Sequence, residues 1–473
     1  MRLGDDDWPA IGSDMDALSR APDGAGVTHA RVAALRSEAE ALYLGTRPKT
    51  RAAAGAAAHL FEGVPMHWMT DWSTPVPLII EKATGARLID VDGHAYDDFC
   101  LGDTAALFGH GPAPVAEAIS RQAGRGLATM LPSPDAGAVG DLLFKRFRLP
   151  QWQIAATASD ANRFAIRAAR AATGRPRILV FDGAYHGAVD ETFVEIGPSG
   201  RTVNRPGLIG EPRDLSALTR VVPFNDLDQL EAALADHTVA CVITEPAMTN
   251  CAMVLPQPGF HEGLRDITRR HGTLLLIDET HTLSTGPGGY TRRNGLAPDL
   301  FVVGKAIAGG VPAAVWGMSE ETAARFKIAR SSLAPGHSGI GTTLSGSPLQ
   351  LAALRATLEQ VATHDAYAHM EALADRMEAG LAAIIGEAGL PWHVARCGAR
   401  VEIVRAPHPL RNGAEARRAH YPTVETAIHL ALLVRGVLIS PFHDMMLASP
   451  ATSEEQVDHL ISAMREVTGR LVG

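Results

Sequence analysis

Charge is scarce in this sequence. Asp, Glu, Lys and Arg make up 20% of the 473 residues against 46% hydrophobic ones, and 43 basic side chains face 52 acidic ones. A formal charge of −9, with no Lys/Arg-rich run, excludes the basic footprint of a nucleic-acid binder and of a protein held on an anionic membrane surface. The hydrophobic share excludes disorder over most of the chain. Cysteine is scarce too. Cys100, Cys241, Cys251 and Cys397 form no C-x-x-C pair, so no disulfide framework is expected and a reducing, cytoplasmic compartment fits. Cys241 and Cys251 have no histidine cluster beside them and read as buried thiols, with no metal site. The opening residues MRLGDDDWPAIGSD lack the apolar region of a signal peptide. No uncharged run approaches the ~20 apolar residues of a membrane helix. The nearest, 300–319, contains a lysine.

Length alone suggests about three domains, and 46 glycines with 30 prolines predict many tight turns. The order of elements gives two lobes instead. An amphipathic helix is expected near Val32–Tyr43, then short strands across 77–99 with Asp92-Gly93 as a hairpin turn, then a helix over Pro114–Gly124. From about 150 to 320 short apolar runs (177–182, 239–244, 273–278, 300–304, 313–318) alternate with amphipathic stretches such as 160–173 and 259–271. Near-continuous apolar strands with intervening helices predict an α/β domain with a mostly parallel sheet covered on both faces. Two helical stretches follow at roughly 348–363 and 366–389, and a last helix at 453–471. The expected division is 1–98 as the first part of a smaller α+β domain, 99–346 as the large domain, and 347–473 as a linking helix plus the rest of the small domain.

Between Asp299 and Glu320 the only charged side chain is Lys305. An amine in such surroundings loses hydration, which favours its neutral, nucleophilic form, suited to a Schiff base with a carbonyl. The plainer reading is a lysine that reaches the surface. A Walker phosphate loop fails, because 299 is Asp and 306 is Ala. Asp278-Glu279 follows the apolar run Leu274–Ile277, and so belongs at the carboxyl edge where open α/β sheets bind ligands. A carboxylate there can hold a protonated heterocyclic nitrogen or simply cap a turn. Residues 155–162, AATASDAN, lead into a helix whose N-terminus offers an anion site, or an ordinary cap by Thr157 or Ser159. Asp182-Gly183-Ala184-Tyr185-His186-Gly187 brings an aromatic ring and an imidazole to a turn after a strand, and His186 alone reads as a loop histidine. Jointly these residues meet the needs of pyridoxal 5′-phosphate (PLP): a Schiff-base lysine, an acidic partner for the ring nitrogen, a phosphate cradle and a stacking ring. A nicotinamide-dependent oxidoreductase would need G-x-G-x-x-G after a strand, and none of these strands is followed by one.

The segment LLLIDETHTLSTGPGGYTRRNGLAPDLFVVGKAIAGGVP resembles the signature of class III (omega) aminotransferases, of PLP fold type I, with Asp278 and Lys305 at the family's separation of 27 residues. The resemblance covers most of 75–470. Stretches 244–268 and 341–349 are most similar to glutamate-1-semialdehyde aminomutase and its transaminase relatives. It implies the fold-type-I transferase architecture, a PLP cofactor and small-molecule amine and keto-acid substrates. It also implies a homodimer with the active site at the subunit interface. It assigns Lys305 to the Schiff base and to proton transfer, Asp278 to the pyridine nitrogen, Ala158 and Ser159 to the phosphate, and Tyr185 with His186 to the ring. Thr343 would reach the phosphate from the partner subunit, and Glu245 is an acidic position near the site. Thr280 stands where the family has a ring-packing Val, Ala158 where it has Gly, and Asn250 where omega-amino-acid members carry a gating Glu. Arg396, Arg400 and Arg405 are candidates for a substrate carboxylate, at least two of them reading as solvated. The expected activity is transfer of an amino group from a primary amine or amino acid, including β-amino acids, to a keto acid, the alternative being an aminomutase-like intramolecular transfer.

Overall fold

The computed structural model describes residues 26–54, 57–210 and 213–473. The acidic opening stretch read for a signal peptide lies outside the described residues. Packing divides the chain into two compact units. One is Thr104–Tyr367 with Leu410–Ala416, and the other joins the described residues before Thr104 to Ala368–Pro409 and Arg417–Gly473. The breaks expected at 98/99 and 346/347 thus fall at 103/104 and 367/368. The helix Pro348–Ala356 explains the second difference: it packs against the helices Ala113–Ala123 and Asp135–Phe147 of the first unit, and Tyr367 meets Phe108 edge-on at 5.9 Å.

The larger unit is built on a seven-stranded sheet in the order Gln151–Ala155, Ala314–Met318, Leu300–Val303, Leu274–Asp278, Val239–Thr244, Arg177–Phe181, Thr219–Val222. All pairings are parallel except those of Ala314–Met318, which runs antiparallel to both neighbours. Every residue of Val239–Thr244 and Leu274–Asp278 is buried, and each aliphatic side chain so covered contributes about 1.5–3 kcal/mol. The two edge strands do not read as apolar runs, because Gln151–Ala155 alternates exposed and half-buried positions up to the buried Ala155 and Thr219–Val222 is short.

The helix Ala158–Thr173 starts on Thr157, whose hydroxyl accepts from Asp160 N at 3.1 Å, and stops at Gly174 with φ +69°. Its buried stripe (Ala161, Ala165, Ile166, Ala168, Ala169) packs on the sheet. Register then fixes the site. Asp278 pairs with Val302 and Ile277 with Thr244, so the residues just beyond three neighbouring parallel strands emerge side by side at one carboxyl edge.

The smaller unit draws on both ends of the described chain. Val437–Leu438 pairs in parallel with Ala95–Asp98, next to the Arg87–Asp90 and Ile80–Thr84 hairpin strands. A second, antiparallel sheet joins His393–Cys397, Arg400–Val404 and Met445–Leu447. The helix His29–Thr46 packs against Pro422–Leu433 and Glu454–Val472. Among the described residues no helix is long and apolar enough to cross a membrane.

Candidate active site

Asp278 ends its strand fully covered by protein, an arrangement that needs hydrogen-bond partners if the carboxylate is to stay charged. It has four contacts. Oδ2 accepts from Asn162 Nδ2 at 2.8 Å and faces His186 Nδ1 at 3.1 Å, and Oδ1 accepts from Thr280 N at 3.1 Å and Thr280 Oγ1 at 2.6 Å. Burial by itself would raise the Asp278 pKa, but His186, Thr280 and Asn162 outweigh it and hold the carboxyl below its ordinary value. The site therefore keeps an anion in a buried position.

Lys305 lies three positions past Val302, beyond the neighbouring strand. It is half-buried, and its φ of +49° is left-handed, a conformation that costs a non-glycine residue of order 1–3 kcal/mol and gathers at functional sites. Gly304 makes room for this bend: a Cβ there would stand 2.8 Å from Ala158 Cβ. The strand end thus presses on the first turn of Ala158–Thr173. Nζ of Lys305 reaches His281 Nε2 at 2.5 Å.

The loop after Arg177–Phe181 closes over the same helix terminus. Ser159 Oγ accepts from Ala188 N at 2.9 Å, and a Cβ on Gly187, whose φ is +77°, would sit 2.2 Å from that oxygen. His186 is buried with Nε2 lacking a hydrogen-bond partner, while Tyr185 is half-buried with its ring 6.4 Å from Phe193. Glu245, just past Val239–Thr244, is buried, which raises its pKa against the pull of His186 and Thr249. Thr249 Oγ1 donates to it at 2.5 Å.

The structure brings Asp278, Lys305, His186, Ser159, Ala158, Thr280 and Glu245 to one edge of one sheet. Thr343 stands apart from them, exposed ahead of Pro348–Ala356. Sequence reasoning missed three residues. Asn162 carried a usable signal, being a polar amide within the apolar stripe of its helix. His281 and Thr249 carried none, since only the turn after Asp278 brings the imidazole back to Thr249. Glu279, read together with Asp278, does other work: its buried carboxylate accepts from Thr282 Oγ1 at 2.5 Å, Tyr290 N at 3.1 Å and Thr291 N, which folds the turn beyond the strand.

The arginines correct an expectation. Arg400 and Arg405 are buried rather than solvated. Arg405 is held by Glu425 at 3.0 Å and by Asp444, and stacks on Trp392, which commits its guanidinium inside the fold. Arg396 pairs with Asp375 and with Glu378. Cys241 is a buried strand residue, and burial pushes its thiol up to about 12.

A buried anion for a protonated heterocycle, a buried imidazole nitrogen without a partner and a tight cradle at a helix N-terminus fit a flat, phosphorylated ring such as PLP. Comparison with known proteins agrees. Residues 68–467 match the family profile described as Aminotransferase class-III. Glutamate-1-semialdehyde 2,1-aminomutase 2 of Exiguobacterium sibiricum is 32% identical over 391 residues, 80% of this chain and 86% of that protein. The crystal structure of a glutamate-1-semialdehyde-aminomutase from Pseudomonas aeruginosa PAO1 superposes with a TM-score of 0.92 at 48% identity, covering 94% of this chain and 99% of that one. An omega-transaminase from Sphaerobacter thermophilus superposes with a TM-score of 0.82 at 28% identity, covering 91% and 100%.

Proposed function

The chain belongs to the class-III aminotransferase family of PLP-dependent enzymes, and we propose that within it the protein is an aminomutase. It moves an amino group between neighbouring carbons of one small amino aldehyde resembling glutamate 1-semialdehyde. The observation that carries this reading is the 48% identity to the Pseudomonas aeruginosa aminomutase across 94% of the chain. Transfer to a separate keto acid, the activity expected first, is the second reading, favoured by the likeness to the Sphaerobacter thermophilus omega-transaminase.

When bound, PLP supplies an electron sink next to the amine-bearing carbon. The chain supplies the rest. Lys305 Nζ would hold the cofactor and, once the substrate nitrogen has displaced it, the freed amine would move the proton between that carbon and the cofactor carbon bonded to the same nitrogen. Asp278, held as an anion by His186, Asn162 and Thr280, keeps a proton on the ring nitrogen. Ser159 and the helix terminus beside Ala158 bind the phosphate, while Tyr185 and His186 offer aromatic surface to the ring. Thr343, exposed in the single chain, serves the phosphate of a second copy in a cytoplasmic homodimer.

The deciding experiment offers the purified holoenzyme the amino aldehyde with no keto acid. Many turnovers per active site are expected for the aminomutase. A reaction that halts after one turnover and resumes only with a keto acid would install transamination instead. Lys305→Ala is expected to abolish both turnover and the bound visible chromophore.

A further inference from the structure

The Lys305 amine has a neighbour that the reading above does not use. His281 Nε2 lies 2.5 Å from Nζ, and on its other side Nδ1 lies 2.8 Å from Thr249 Oγ1, which donates to Glu245 Oε2 at 2.5 Å. The four groups form one hydrogen-bonded line, and Thr249, Glu245 and His281 are buried. The line also fixes the tautomer. Thr249 gives its proton to Glu245, so its oxygen accepts from Nδ1–H, and Nε2 turns a lone pair towards Lys305.

We infer that His281 is a positioning residue that holds the Lys305 amine in place and relays protons between it and Glu245. A proton leaving Nζ arrives on Nε2, the Nδ1 proton passes to Thr249, and the Thr249 proton passes to the Glu245 carboxylate. One proton is transferred, and His281 is left as the other tautomer. The charged and titratable groups around the imidazole suit this task. Lys305 faces it from the next strand end. Glu245 faces it through Thr249, with Asn250 donating to both carboxylate oxygens at 3.2 Å and lying 3.4 Å from Nδ1. Asp278 and Glu279 precede it on its own segment, the latter occupied by Thr282, Tyr290 and Thr291. His186 acts on Glu245 electrostatically, and burial raises that carboxyl's affinity for a proton, as the far end of a relay requires.

The inference rests on Lys305 being the cofactor-bearing lysine, and its test separates the two. The PLP-loaded wild type, His281→Phe, His281→Gln and Thr249→Val are titrated with pH while the visible absorbance of the bound cofactor is followed. Without the acceptor at Nε2 the midpoint is expected to fall by about one pH unit in His281→Phe, to fall less in Thr249→Val, and to recover partly in His281→Gln. Loss of a proton-transfer partner is expected to lower kcat by roughly a hundredfold in His281→Phe with little change in KM. Midpoints and pH–rate profiles that superpose on wild type in both His281→Phe and Thr249→Val overturn the relay. If His281→Phe does not fold, judged by circular dichroism, Thr249→Val decides alone. A Lys305→Ala protein that keeps the chromophore instead overturns the assignment of Lys305.

Discussion

His186 Nδ1 stands 3.1 Å from Asp278 Oδ2, although the strands that carry the two residues are separated in the sheet by Val239–Thr244. The contact spans that strand because His186 comes from a loop folding back over the carboxyl edge, where Gly187 meets Ser159. The imidazole does what a solvent molecule does elsewhere: it keeps Asp278 ionised in a place that would otherwise protonate it.

The charge on Asp278 is therefore the quantity to remove. Asp278→Asn keeps the shape but loses the anion, and kcat is expected to fall by roughly 10²–10³-fold with the cofactor still bound. Steady-state kinetics beside cofactor content checks this. Near-wild-type turnover in the Asn variant would remove Asp278 from the proposed chemistry.

Thr280 calls for a milder outcome. Its hydroxyl donates to Asp278 at 2.6 Å, and hydrogen bonds to charged groups are worth about 1.5–3 kcal/mol. Thr280→Val, which installs the apolar residue expected at this position, is expected to raise the proton affinity of Asp278 and shift the acid limb of the pH–rate profile upwards. An unshifted limb would mean that Asn162 and His186 suffice.

At Gly187 the backbone has φ +77° and no room for a Cβ, since Ser159 Oγ would lie 2.2 Å away. A left-handed conformation costs a side-chain-bearing residue about 1–2 kcal/mol, and the clash adds to it. Gly187→Ala is expected to weaken PLP binding at least tenfold in a fluorescence titration while the melting temperature of the apo chain moves by only a few degrees. Equal affinity in the variant would separate this cradle from the phosphate.

The smaller unit is expected to lose stability in acid through one buried imidazole. His429 is buried against Ser73 and Trp72, and burial pushes its pKa from 6.5 to about 4. Above pH 6.5 the imidazole is neutral whether folded or unfolded. As pH falls towards 4 the unfolded chain gains a proton that the folded one refuses, so stability drops by up to about 3 kcal/mol. His429→Gln is expected to flatten the urea-midpoint curve between pH 6.5 and 4. A slope equal to wild type would place the sensitivity elsewhere.

Much of the larger unit was readable from sequence because its central strands are covered on both faces, which leaves unbroken apolar runs such as VACVIT. The same property exposed Lys305 and Asp278, as charges where a buried strand ends. The edge strands, half in water, gave no such run. Asn162, Thr249 and His281 stayed hidden for another reason: each is an ordinary polar residue until strand register brings it to Asp278 or Lys305, and register is not a local property. Arg400 and Arg405 looked like surface charge because the carboxylates that hold Arg405, Glu425 and Asp444, lie well along the chain. Thr280 passed for a lost ring contact, and only the geometry makes it a donor to Asp278.

No single stretch of chain carries the residues gathered around Asp278. Asn162, His186, Glu245 and Lys305 follow four different strands, and they meet only once the intervening sheet is complete. Whatever binds there binds the finished sheet and ignores partly folded chains. At a hundredfold excess over its dissociation constant such a ligand adds about 2.7 kcal/mol to the folded state. A chain that folds without its cofactor is therefore expected to open more often than a loaded one, by the same factor that the ligand contributes to the folded state.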